Sequence, residues 1–173
     1  MSIIVMKFGG TSVADIDCIK NVANKVAAQY KKNKKIVVVV SAMSGTTNNL
    51  IDLTKQISNG RYTQEYDVVV SSGEQVTAGL LSMALNSKEI PSRSFMGWQI
   101  PVLTDNTFSK ANIAEIGIDV LMQALNRNEI AVIPGFQGVT DENQITTLGR
   151  GGSDTSAVAI ASALHAKRCD TVS

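Results

Sequence analysis

The sequence predicts an α/β fold, a three-layer α/β/α sandwich around a mostly parallel central sheet. Three observations carry this. Residues 36–40 read IVVVV, β-branched throughout and without polar alternation, as in a strand buried on both faces. Short apolar runs alternate along the chain with helical patterns of roughly 10 to 15 residues. Glycine, serine and threonine gather in the segments that follow the strands, which is where open parallel sheets hold their ligands.

The elements follow in order. Residues 3–6 (IIVM) form a strand that runs into Gly9 and Gly10. From Asp15 the period changes: Ile16, Ile19, Ala23, Val26, Ala27 and Tyr30 share one helical face. The basic run at 31–35, KKNKK, closes that helix as a solvated end rather than a binding patch. After the 36–40 strand, Leu50, Leu53, Thr54 and Ile57 pattern a helix over 49–58, stopped by Asn59-Gly60. The three valines at 68–70 are too few to assign by period. Residues 74–86 form a helix with Val76, Leu80, Leu81, Ala84 and Leu85 as its apolar stripe. Extended segments are expected at 92–96 and 100–103, a helix at 118–127, and a buried strand at 129–133 ending in Pro134-Gly135. A small-residue helix at 155–167 and a strand at 169–172 complete the pattern, with Trp98 expected in the core.

The 173 residues match one domain, with no internal repeat, linker or low-complexity segment. Sixteen basic against fifteen acidic residues leave a net charge of +1, which offers no general field for nucleic acid or an anionic membrane. Cys18 and Cys169 cannot build a disulfide framework and lack zinc spacing, so they read as reduced thiols. No apolar run of about 18 residues suggests a membrane span, and the start, MSIIVMKFGG, does not have the layout of a signal peptide. A cytoplasmic location is expected. The lone histidine, His165, lies far in sequence from every glycine-rich loop, so a histidine-based triad is discounted.

Five loops carry the candidate chemistry. In Lys7-Phe8-Gly9-Gly10-Thr11-Ser12 the paired glycines allow backbone N–H groups to approach an anion, and Lys7 adds a full charge. A tight turn with a surface lysine is the competing reading, since the Walker spacing is absent. In Gly149-Arg150-Gly151-Gly152-Ser153-Asp154 the dinucleotide fingerprint fails at Asp154. Arg150 has the fork to grip a carboxylate or phosphate. Asp154 reads either as the N-cap of the next helix or as a carboxylate that orients a lysine or holds a metal ion. Glu74, beside Gly73, either complements a helix dipole or receives a substrate ammonium. Ser41 and Thr47 either cap the second helix or bind an oxyanion. The fifth loop is Pro134-Gly135-Phe136-Gln137-Gly138.

Taken in this order, the loops resemble the aspartokinases of the amino acid kinase family. The matching stretches are KFGGTSVA (7–14), VVVVSAMSG (37–45), SSGEQV (71–76), GWQIPVLTD (97–105) and PGFQGVTDENQITTLGRGGSDTSAVA (134–159). The resemblance implies transfer of the γ-phosphoryl of ATP, carried as its Mg2+ complex, to the β-carboxylate of L-aspartate, the first step towards lysine, threonine, methionine and diaminopimelate. It implies that Lys7 stabilises the moving phosphoryl, that Lys7, Phe8, Gly9 and Gly10 bind the ATP, and that Gly9 and Gly10 offer backbone donors. It implies that Asp154 orients Lys7, that Glu74 holds the α-ammonium of aspartate and Arg150 a carboxylate, and that Ser41, Thr47, Phe136 and Ser153 line the pocket. No dedicated metal ligands are implied.

The resemblance also sets an expectation about extent. In the family, the strand at 169–172 continues into an Asp-rich loop and the segments that hold the nucleotide, followed by regulatory ACT domains. Here the sequence reads Cys169-Asp170-Thr171-Val172-Ser173 at that point. Residues 1–173 are therefore read as the N-terminal portion of an amino acid kinase domain. Such a portion would work with a separately encoded C-terminal half, self-associate, or persist as a non-catalytic remnant or binding module. A family member acting on glutamate, acetylglutamate or a nucleotide ranks below aspartate, because SSGEQV and TTLGRGGSDTSA occur together.

Overall fold

A computed structural model describes residues 2–33, 35–61 and 63–172. In chain order the elements are β1 (Ile4–Phe8), α1 (Ile16–Lys32), β2 (Ile36–Val40), α2 (Thr46–Ile57), α3 (Thr63–Val70), α4 (Ser72–Asn86), β3 (Ser92–Ser94) and β4 (Val102–Thr104). They continue with β5 (Ile113–Ile116), α5 (Asp119–Asn126), β6 (Ile130–Pro134), β7 (Gln137–Val139), β8 (Ile145–Thr147), α6 (Gly152–Ala163) and β9 (Arg168–Val172).

The central sheet runs β3-β6-β2-β1-β9 and every neighbouring pair is parallel. Because side chains alternate between faces, each strand feeds two cores. Ile4, Met6, Phe8, Val38, Val40 and Val132 pack with Ile19, Val22 and Val26 of α1 and Leu81 and Leu85 of α4. Val5, Val37, Val39, Ala131 and Ile133 pack on the opposite face with Leu121 and Leu125 of α5 and Ala157 and Ile160 of α6. This two-sided demand explains why IVVVV carries no polar residue: all five side chains of β2 are buried. The three-layer α/β/α fold and its mostly parallel sheet are as expected.

A second sheet, β5-β4-β7-β8, sits beside the first, with β4–β5 and β7–β8 antiparallel and β4–β7 parallel. Three of its strands, β5, β7 and β8, have no counterpart in the sequence reading. The valines at 68–70 belong to a helix, α3. α2 starts earlier than expected, because Gly45 takes a left-handed conformation (φ 77°) at its N-cap. α6 ends at Ala163 and the chain reverses at His165 (φ 51°), four residues before the expected end. Trp98 is 43% exposed, which corrects its assignment to the core. Lys31 and Lys32 close α1 as exposed residues. Lys35 donates to the backbone carbonyl of Leu125, and Lys34 lies outside the described residues.

The expectation about membrane-length segments needs one amendment. α3 and α4 follow each other across Thr63–Asn86, 24 residues containing a window of mean hydropathy 1.3, which is long and apolar enough to cross a bilayer. Half of that window is buried within the fold, and the segment encloses the buried carboxylates Asp67 and Glu74. Those are the marks of a core helix pair.

Candidate active site

The period of β1 decides where Lys7 goes. Ile4, Met6 and Phe8 face α1 and α4, so Lys7 joins Val5 on the face that meets α6. Its ammonium lies 2.9 Å from Asp154 Oδ1 in the first turn of α6. Lys7 is 8% exposed, whereas the Asp154 side chain is largely open to solvent. Asp154 does not cap α6: the cap is Gly151 at φ 77°, with no side-chain bond, and Asp154 is the third helical residue. Its carboxylate still benefits from the N-terminal dipole, but its partner is Lys7.

Gly152 opens α6 hard against the β6–β7 corner. A Cβ on it would come within 2.6 Å of Phe136 Cδ1, so only glycine allows this approach. Phe136 itself has φ 75°, a left-handed conformation that costs a bulky residue about 1–2 kcal/mol. Across the cavity, Gly73 plays the matching part. A Cβ there would lie 3.0 Å from Ala42 Cβ and 3.2 Å from Thr46 Cγ2, so α4 can start directly beneath the loop after β2.

That approach buries Glu74, which is 3% exposed. Its carboxylate accepts from its own amide and from the Ala42 N–H, yet Oε2 has no partner. Burial outweighs those bonds and pushes the carboxyl up from 4.5 to about 7. Ser41 does not cap α2, whose N-cap is Gly45. It reaches across the cavity instead and donates to Ser153 Oγ at 3.0 Å.

These parts enclose a cavity of about 520 Å3 lined by Lys7, Gly10, Ser41, Thr47, Glu74, Phe136, Arg150, Ser153 and Asp154. Two expected participants are not in this lining. The Phe8 ring is fully buried in the core beneath α1 and α4. Gly9 already gives its N–H to the Val172 carbonyl at 3.3 Å, so it is not the free donor expected. Thr11, Met43, Ser44 and Asn48 also line the cavity and were not singled out in the sequence. Their signal was membership of the same two loops.

Behind the lining stands a polar frame that the sequence reading missed. Asp67 of α3 is fully buried and accepts from Ser109 N–H (2.9 Å), Thr147 N–H (2.8 Å) and Thr147 Oγ (2.8 Å). Burial raises its carboxyl pKa, and these bonds pull it back. Gln137, also buried, donates to the carbonyls of Ser71 (2.9 Å) and Gly135 (3.2 Å). Asp67 thus ties α3 to β8, which leads into the Arg150 loop, and Gln137 ties the start of β7, just after Phe136, to the α3–α4 junction at Ser71. Among the described residues, no three or more His, Cys, Asp or Glu side chains gather as a metal site.

The amino acid kinase family profile matches residues 2–173. The chain belongs to the amino acid kinase family. Over 173 residues it is 51% identical to an aspartokinase of Rickettsia felis, covering 98% of this chain and 43% of that protein. To aspartokinase 2 of Bacillus subtilis it is 47% identical over 170 residues, covering 98% and 42%. Among solved structures, E. coli aspartokinase III in complex with aspartate and ADP superposes with a TM-score of 0.86 at 26% identity, covering 98% of this chain and 48% of that one. The aspartate kinase of Synechocystis gives a TM-score of 0.83 at 41% identity, covering 98% and 28%. This kinase-family chain therefore spans about two fifths of the length of the curated relatives it matches.

Proposed function

We propose that this chain carries the amino-acid pocket and the phosphoryl-stabilising lysine of an aspartate kinase, as the N-terminal portion of its catalytic domain, using ATP as the phosphoryl donor. The observation that carries the reading is Glu74: a buried carboxylate with an unpartnered oxygen, facing the same cavity as the Lys7–Asp154 pair and Arg150. An α-amino acid supplies what that arrangement lacks, an ammonium for Glu74 and a carboxylate for Arg150. The E. coli neighbour, solved with aspartate and ADP, supports the same reading.

The chemistry asks little of the protein beyond position and charge. The β-carboxylate of aspartate is already a nucleophile, so no proton has to be removed. One of its oxygens bonds to the γ-phosphorus while the bond to the bridging oxygen breaks and ADP leaves with the electron pair. The approach of two anions is the obstacle, and Lys7 lowers it within a partly desolvated cavity. Asp154 holds the ammonium in place. Mg2+ arriving with the nucleotide would supply further charge neutralisation. Ser41, Thr47, Phe136 and Ser153 shape the amino-acid pocket, and Gly10 leaves room for the phosphoryl group.

The test is calorimetric titration of the chain with L-aspartate, alongside a coupled ATP assay of the chain alone and of the chain supplied with the remaining segment of an aspartokinase. Aspartate binding by the chain and turnover in the supplemented reaction are expected. Turnover of glutamate or another acid, with none of aspartate, would overturn the substrate assignment.

A further inference from the structure

Phe136 is held on both sides of its peptide. Its N–H donates to Ser156 Oγ at 2.9 Å, and its carbonyl accepts from Leu148 N–H at 2.7 Å. Ser156 is 3% exposed and passes its own proton to the Gly152 carbonyl at 2.9 Å. The hydroxyl therefore links the first turn of α6 to the one phenylalanine with a positive φ among the described residues. Bulky residues persist in that conformation only where the surroundings over-determine it. The ring so placed is the wall of the cavity against which Gly152 packs.

We propose that Ser156 is a positioning residue for substrate: its hydroxyl clamps Phe136 in the left-handed conformation and so fixes the aromatic wall of the amino-acid pocket. The substrate half of this statement rests on the aspartate reading above, while the clamp itself does not. A serine four residues into α6 has a more ordinary role available, a hydroxyl bonding back to the carbonyl one turn earlier. What sets Ser156 apart is that its remaining acceptor capacity is used by a residue from another loop whose backbone is unfavourable without it.

A double-mutant cycle distinguishes the two roles. Ser156→Ala, Phe136→Gly and the double variant are compared with the parent chain by urea unfolding and by aspartate calorimetry. Glycine adopts a positive φ freely and keeps the N–H that Ser156 accepts, so the clamp predicts that Ser156→Ala lowers the urea midpoint less in the parent, where release of the strained Phe136 backbone offsets the lost hydrogen bond, than in the Phe136→Gly background, where the bond is lost with no strain to release. It also predicts roughly tenfold weaker aspartate binding for Ser156→Ala, on the scale of one lost hydrogen bond, with affinity recovered by Ser156→Thr. Equal effects of Ser156→Ala on stability in both backgrounds would overturn the clamp. Coupled stability with aspartate affinity unchanged in Ser156→Ala would overturn its substrate role. Coupled stability in a parent chain that binds no aspartate would leave the clamp standing and refute the function proposed above.

Discussion

Replacing Glu74 with glutamine should make the chain more stable at alkaline pH and, on the function proposed above, weaker at binding aspartate. Glu74 titrates near 7 in the folded chain against an ordinary 4.5. Between those values the folded state binds more protons than the unfolded one, so stability falls as pH rises from 4.5 to 7 and levels off above. The interval of about 2.5 pH units, at about 1.4 kcal/mol each, is worth about 3 kcal/mol. Glutamine removes the titration but places an amide where Oε2 already lacks a partner, which costs about 1–2 kcal/mol. The expected net gain at pH 8 is therefore about 1–2 kcal/mol, disappearing or reversing at pH 5. Urea unfolding of both proteins at pH 5 and pH 8 measures this, because the difference between the two isolates position 74. Aspartate binding should move the other way. An ammonium beside Glu74 favours the ionised carboxyl, so parent affinity should rise with pH through 7, with proton release on binding, and Glu74→Gln should lose at least tenfold at pH 8. A parent whose stability relative to the variant does not fall between pH 5 and 8, or a variant that binds aspartate as tightly as the parent, would refute the reasoning.

Two further outcomes follow from the same geometry. Lys7→Ala, in the chain combined with the remaining segment of an aspartokinase, should cut turnover about 10²- to 10³-fold with aspartate binding nearly unchanged. Equal losses of both would make Lys7 a ligand for the amino acid. Asp67→Ala strands the N–H groups of Ser109 and Thr147 and the Thr147 hydroxyl in a buried place, and should cost about 3–5 kcal/mol in urea unfolding. A loss below about 1 kcal/mol would mean that water replaces the carboxylate and that α3 does not anchor β8.

The middle of the central sheet was legible because β6, β2 and β1 are buried on both faces, a demand that leaves little freedom in residue choice: IVVVV admits few other readings. The side sheet was not, because β5, β7 and β8 are three or four residues long and mix Gly, Gln, Glu and Thr with apolar residues, too short for any period. The run at 68–70 is too short to separate strand from helix by period. It folds within α3, whose Asp67, one residue earlier, accepts from Ser109 and Thr147. The loops of the cavity were readable as loops, but which groups in them remain available was not. Gly9 and Gly10 look equivalent in sequence, and only the position of Val172 shows that one N–H is already taken. Asp154 and Gly151 both qualify as a cap by residue type. The choice turns on the backbone at 151, which no side-chain pattern records.

The tie between Val172 and the turn after β1 has a consequence for the order in which the molecule takes shape. The Val172 carbonyl receives both the Gly9 N–H and the Ser12 hydroxyl, a contact spanning 160 residues in the latter case. Closing so long a loop is slow compared with forming α1 or pairing β1 with β2. The Lys7 end of the cavity should therefore become rigid only when β9 docks, well after the valine core has formed. In pulse-labelled amide exchange during refolding, Gly9 would gain protection with β9 and later than Val38, so any intermediate that accumulates would hold a finished core beneath an unformed Gly9–Gly10 turn.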